Sequence, residues 1–210
     1  MKVYKFGGAS VSTADGVRNL RAIVKDEREL FVIVSAMGKT TNALERVFEG
    51  MQTGDRPLSM EHITALRSYH RQMIEELLRT TDHLDSVDAL FAELEHIATE
   101  EEFRGEDAEM WYDRIVSYGE LLSTTIISEF LNASGVANRW IDMRSCIVTN
   151  ERHKDASIDL EASTAPLREA VSGEGPKLFI GQGFIGSTPS GKTSTLGREG
   201  SDYSAAGVAN

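Results

Sequence analysis

Leu30, Phe31, Val32, Ile33 and Val34 form an unbroken apolar run, and the chain leaves it directly into Ser35-Ala36-Met37-Gly38-Lys39-Thr40-Thr41-Asn42. A strand without a polar face must be covered on both sides, as in parallel sheets sandwiched by helices. Two other stretches repeat the pattern. Residues 2–6 alternate toward a short strand that Gly7-Gly8-Ala9-Ser10 ends, before a helix carrying Val17, Leu20, Ile23 and Val24 at helical spacing. Residues 177–180, continuing through Phe184 and Ile185, read as one buried strand opening the stretch 183–206, GFIGSTPSGKTSTLGREGSDYSAA. Open α/β sheets bind ligands at the carboxyl ends of strands, so these three glycine- and hydroxyl-rich loops are the expected site.

The charge balance narrows the partner. With 33 acidic against 22 basic residues the net charge is −11. Nucleic acid and anionic membrane both reward clustered lysine and arginine, so neither is expected. Small-molecule chemistry is favoured. The lone Cys146 cannot form an internal disulfide, the first five residues carry charges where a secretory signal is apolar, and no apolar run approaches about 18 residues. These features predict a soluble, cytoplasmic protein, and 210 residues at 40% hydrophobic content suffice for a sizeable core.

The span from about 43 to 132 is helical in pattern and reads as an insertion between strands. After a turn at 54–57, Ser59 is the expected cap of a helix bearing Ile63, Leu66, His70, Met73 and Leu77. His70 reads as a core histidine, because no second histidine or cysteine stands at metal spacing; no metal site is expected. A further helix carries Val87, Leu90, Phe91, Leu94 and Ile97. The pattern then predicts one helix over 107–131, in which Ile115, Val116, Leu122, Ile126, Ile127, Phe130 and Leu131 fill one arc at 100° per residue. Glu120 falls inside that arc, between Ile127 and Leu131 in projection, with Gly119 and Ser123 opening space beside it. A buried carboxylate needs a cation, supplied either by a protein arginine or by a ligand ammonium. Beyond Gly135, residues 138–142 and 146–149 read as strand pieces, 150–156 as an exposed loop, and 157–171 as a partial helix limited by Pro166.

Residues 186–193, GSTPSGKT, satisfy the phosphate-loop pattern letter for letter. A phosphate loop runs straight into a helix, whereas Thr193 is followed by a stretch containing Gly197 and Gly200, so a hairpin turn on Pro189-Ser190-Gly191 is preferred. Elsewhere, paired glycines at Gly7 and Gly8 fit phosphate or an ordinary tight turn. Lys5 points into that site or snorkels from an edge. The Ser35 to Asn42 loop suits a ligand or a helix cap. Arg198 has the fork for bidentate carboxylate recognition, and Asp202 either caps the last helix or orders a lysine or substrate ammonium.

Taken in order, Lys5-Phe6-Gly7-Gly8-Ala9-Ser10, Val34-Ser35-Ala36-Met37 with Thr41-Asn42, Ser117-Tyr118-Gly119-Glu120, Gln182-Gly183-Phe184-Ile185-Gly186, and the stretch from Leu196 through Gly197-Arg198-Glu199-Gly200-Ser201-Asp202 to Ala205 resemble the successive signatures of aspartate kinases, within the amino acid kinase superfamily. The resemblance implies a three-layer αβα sandwich around a mainly parallel sheet. It implies transfer of the ATP γ-phosphoryl group to the side-chain carboxylate of L-aspartate, the first step of lysine, threonine and methionine biosynthesis. By the same resemblance Lys5 and Asp202 are catalytic, and Lys5, Gly7, Gly8 and Ser10 hold the phosphates. Ser35, Thr41, Glu120, Arg198, Glu199, Gly200 and Ser201 hold aspartate, and Mg2+ enters with ATP. The family's later nucleotide-binding segment, second active-site lysine and regulatory domains have no counterpart in these residues. The chain is therefore expected to be the amino-terminal portion of a catalytic domain, as a fragment, a split gene product or a shortened chain. Poor activity alone is expected, with a homo-oligomer or a missing carboxyl-terminal portion as partner. A non-catalytic aspartate-binding module and a phosphate-loop NTPase are the competing readings.

Overall fold

The computed structural model describes residues 1–79, 84–103 and 105–209. Residues 80–83 and 104, inside the expected helical span, and Asn210 lie outside them. Four parallel strands, β1 (Lys2–Phe6), β2 (Leu30–Val34), β3 (Arg139–Ile141) and β4 (Leu178–Gln182), form one sheet in the order β1-β2-β4-β3. Between them run α1 (Ala14–Val24), α2 (Thr40–Thr53), α3 (Arg56–Leu78), α4 (Asp85–Glu100), α5 (Ala108–Val116), α6 (Tyr118–Ala133) and α7 (Leu160–Ala170). A hairpin of β5 (Ile185–Ser187) and β6 (Thr193–Thr195) follows, and α8 (Gly200–Ala209) ends the chain.

The apolar run of β2 is buried throughout because its side chains divide between two cores. Leu30, Val32 and Val34 join Leu178, Ile180 and residues of α1 to α6 on one face. Phe31 and Ile33 join Phe179, Ile141 and Met143 on the other, with Leu167 and Ala170 of α7 and Ala205 and Val208 of α8 packed against them. Helices cover both faces, giving the expected three-layer αβα architecture. Each Val, Ile or Phe so buried contributes about 1.5–3 kcal/mol.

The local structure corrects several expectations. The strand expected over 177–185 ends at Gln182. The amide of Ile185 donates to Gly183 O at 2.8 Å around Phe184, whose φ is +69°, and the chain turns out of the sheet. α3 is capped by the Asp55 carboxylate, which accepts from the Leu58 amide; Ser59 instead donates its hydroxyl to Val47 O, tying α3 to α2. The helix expected over 107–131 is interrupted at Ser117, whose Oγ donates to Arg114 O in competition with the backbone ladder. Pro166 lies inside α7 rather than ending it; the carbonyl it leaves without a partner belongs to exposed Ala162. Residues 146–149 contribute only single bridges, because the amides of Ile147 and Val148 are taken by Met143 O and Ser163 Oγ. A short 3-10 turn (Gly8–Val11), which the second glycine of the pair opens, separates Gly7 from α1.

Candidate active site

The parallel register puts Phe6, Val34 and Gln182 in one row, so the loops that follow them start level. They are also bonded together. The amide of Ser35 donates to Phe6 O at 3.1 Å, that of Gly183 to Val34 O at 2.9 Å, and that of Gly38 to Gly8 O at 3.0 Å. Glycine is required twice at this approach. A Cβ on Gly8 would stand 2.5 Å from Ala36 O, and one on Gly183 would stand 2.6 Å from the Ser201 side chain.

Above this row lies the first turn of α8. Ser35 Oγ donates to Ser201 Oγ at 2.9 Å, and Ser123 Oγ donates to Ser35 O. Lys5 Nζ lies 3.2 Å from the Asp202 carboxylate, joining the first strand to the last helix. The pair is partly exposed, so it contributes little stability, about 1 kcal/mol or less. Its effect is orientation: the ammonium is held toward the glycine loop, 3.9 Å from where a Gly7 Cβ would be. Of the two orientations open for Lys5, the one facing the loop is found, and Asp202 orders the lysine.

Glu120 enters from the side. Gly119 lets α6 press against the β2 loop, where a Cβ would be 2.8 Å from Ala36 Cβ. Glu120 Oε1 accepts the Ala36 amide at 3.1 Å, whereas Oε2 is buried with no partner. No arginine reaches it among the described residues. At 3% exposure the carboxyl is pushed up to about 8 by burial, partly offset by its backbone hydrogen bonds.

The remaining predicted residues are less tied down. Thr41 is half-buried in the first turn of α2, where its neighbour Thr40 donates to Met37 O. Ser10 is exposed, its amide bonded to Gly7 O. Arg198 and Glu199 are exposed on the loop before α8, and Arg198 has no ion pair or hydrogen bond with the described residues. Glu199 has φ +57° and its carbonyl accepts the Asp202 amide at 2.8 Å, while Gly200 is buried beneath Phe184. The phosphate-loop lookalike forms the tip of the β5–β6 hairpin. Lys192 is exposed and Thr193 starts a strand, so no helix dipole faces that loop.

Sequence reasoning missed Asp113. It is fully buried on α5 and accepts from Thr195 Oγ1 (2.5 Å) and the Lys154 amide (3.1 Å), with His153 Nδ1 at 2.8 Å. Burial raises its carboxyl above the ordinary value, against the pull of those bonds. The signal was available: seven residues before Glu120, Asp113 lies only about 20° from it in helical projection.

The amino acid kinase family model matches residues 1–210. Lysine-sensitive aspartokinase 3 of Escherichia coli (strain K12) is 33% identical over 206 residues, covering 97% of this chain and 45% of the relative. The aspartokinase of Chlamydia trachomatis is 36% identical over 204 residues, covering 97% and 44%. Among solved structures, E. coli aspartokinase III in complex with aspartate and ADP (R-state) superposes with a TM-score of 0.83 at 33% identity, over 100% of this chain and 46% of that one. The same enzyme with lysine and aspartate (T-state) gives 0.81 at 32% identity, again over 100% and 46%. The chain thus spans less than half the length of these relatives. No described helix is long and apolar enough to cross a membrane. A parallel sheet whose strand ends converge on Lys5, Glu120 and Asp202, and a match over the whole chain, have one common reading: the chain belongs to the amino acid kinase family.

Proposed function

We propose that the chain forms the substrate-holding part of an aspartate kinase, in which the γ-phosphoryl group of ATP passes to the side-chain carboxylate of L-aspartate. The observation that carries this reading is the buried Oε2 of Glu120, unpartnered at the ends of three parallel strands. A substrate ammonium supplies the missing cation. Arg198, exposed on its loop and without a protein partner among the described residues, takes a substrate carboxylate. Thr41 and Ser201 supply hydroxyls, and Ser35 is held by Ser201.

The attacking carboxylate is ionised at neutral pH, so no general base is needed. One carboxylate oxygen bonds to the γ-phosphorus as the bond to the β-phosphate oxygen breaks, releasing ADP and 4-phospho-L-aspartate. Catalysis then consists of positioning and charge neutralisation. Lys5, held by Asp202, neutralises the transferred group, and the Gly7 to Ser10 loop faces the phosphates. Among the described residues no cluster of His, Cys, Asp or Glu could hold a metal ion. Mg2+, entering with ATP, would supply further charge neutralisation at the phosphates.

Calorimetric titration tests the reading. Aspartate is expected to give saturable binding to the chain, and Glu120→Gln to weaken it about tenfold or more. ATP-dependent aspartyl hydroxamate formation reports turnover, which Lys5→Ala reduces about 100-fold or more and Lys192→Ala leaves unchanged. Absence of aspartate binding in the unaltered chain overturns the proposal. Binding of aspartate without any ATP signal identifies a non-catalytic module instead.

A further inference from the structure

We propose that Asp113 is a positioning residue that fixes the loop 197–201, and with it Arg198, relative to Glu120. The inference rests on the aspartate-binding reading of that site. Asp113 and Glu120 stand on one nearly continuous helical rod. Two ladder bonds still cross the break at Ser117, since the Ser117 amide donates to Asp113 O and the Leu121 amide to Ser117 O, both at 3.2 Å. One end of the rod delivers a carboxylate to the substrate pocket. The other grips the back of the loop that carries the second clamp.

The grip has two branches. Thr195 Oγ1 donates to Asp113 at 2.5 Å, fixing the last residue of β6, three residues before Arg198. The Lys154 amide donates to both carboxylate oxygens, each at 3.1 Å. Lys154 has φ +63°, unfavourable for a residue with a side chain, and this bond helps hold it there. The turn so formed abuts Gly197: a Cβ there would stand 3.3 Å from Lys154 O and 2.7 Å from Asp155 Oδ1. The Ala156 amide donates to Thr195 O at 2.9 Å and closes the two branches into one unit. His153, 14% exposed, covers the carboxylate from solvent. Between Gly197 and Gly200 the backbone of Arg198 and Glu199 bonds only within its own turn and the first turn of α8, with Asp202 N and Tyr203 N both donating to Glu199 O, and the chain is held again at Ser201 by Ser35 and at Asp202 by Lys5. The placement of Arg198 is therefore set from one side by residues 195–197 and from the other by the first turn of α8.

Three variants and one double variant decide the matter by calorimetric titration with aspartate. Thr195→Val, which removes one donor at constant shape, is expected to weaken binding about ten- to a hundredfold, while Thr195→Ser keeps the hydroxyl and retains wild-type affinity. In an Arg198→Ala background Thr195→Val should cost little more, because the clamp it positions is already gone. A uniformly structural role would leave the two losses additive. Should Thr195→Val not fold, Asp113→Asn followed by amide hydrogen exchange takes its place. Exchange is then expected to accelerate at 197–203 with β1 and β2 unchanged. Wild-type affinity in Thr195→Val, full additivity with Arg198→Ala, or unaltered exchange at 197–203 overturns the inference while the aspartate site stands. Loss of aspartate binding in the unaltered chain overturns both.

Discussion

Glu120 and His70 are both buried ionisable side chains, and they act on stability with opposite signs. Glu120 holds its proton up to about pH 8 in the fold and releases it near 4.5 when unfolded. The folded state binds more protons across that window, so this group's contribution falls as pH rises from 4.5 to 8. Burial lowers His70 to about 4, against a backbone hydrogen bond to Leu66, so between 4 and 6.5 the unfolded state binds more protons and stability rises with pH. The two slopes oppose each other up to 6.5 and only the decline remains above it. Denaturant unfolding should therefore show wild-type stability decreasing between pH 6.5 and 8, and Glu120→Gln should flatten that decline. Aspartate binding carries the same linkage. Pairing an ammonium with Glu120 requires its ionised form, so binding releases a proton, and affinity rises about tenfold per pH unit from 6 to 7.5. Titration in buffers of different ionisation enthalpy measures that proton; pH-independent affinity would contradict the pairing.

The element that most controls the site is α6, and its control depends on an atom Gly119 lacks. Gly119→Ala places a methyl 2.8 Å from Ala36 Cβ and 3.4 Å from Leu44 Cδ1. Overpacking there is expected to cost about 1–3 kcal/mol in thermal or chemical unfolding. Because the shift also draws Glu120 off the Ala36 amide, aspartate binding should weaken with it. A variant that loses stability but binds aspartate at wild-type strength would show that the α6 approach is only structural. The amphipathic arc correctly buried Glu120, but periodicity could not register the break at Ser117, which comes from one side-chain hydrogen bond to Arg114 O. Nor could it see the turn at Gly183 and Phe184, since the apolar character runs on while the backbone leaves the sheet.

Across the whole molecule, β2 is the seam. Phe31 and Ile33 belong to one core while Leu30, Val32 and Val34 belong to the other, so neither core survives loss of the strand. Phe31→Ala is expected to cost about 3–5 kcal/mol. Far-ultraviolet circular dichroism and the fluorescence of Trp111 and Trp140 should report one coincident transition, and two separated transitions would show that the layers melt independently. The sequence by itself determined the parallel α/β class, the three loops at strand ends, the burial of Glu120 and the hairpin nature of residues 186–193. Each of these follows from local composition and period, which act within a few residues of one another. Tertiary structure alone decided that Lys5 meets Asp202, 197 positions away along the chain, that no arginine answers Glu120 among the described residues, and that Asp113 braces Thr195. Such contacts join segments far apart in the chain through one sheet register and one helix approach, and no local pattern encodes a distance between two elements.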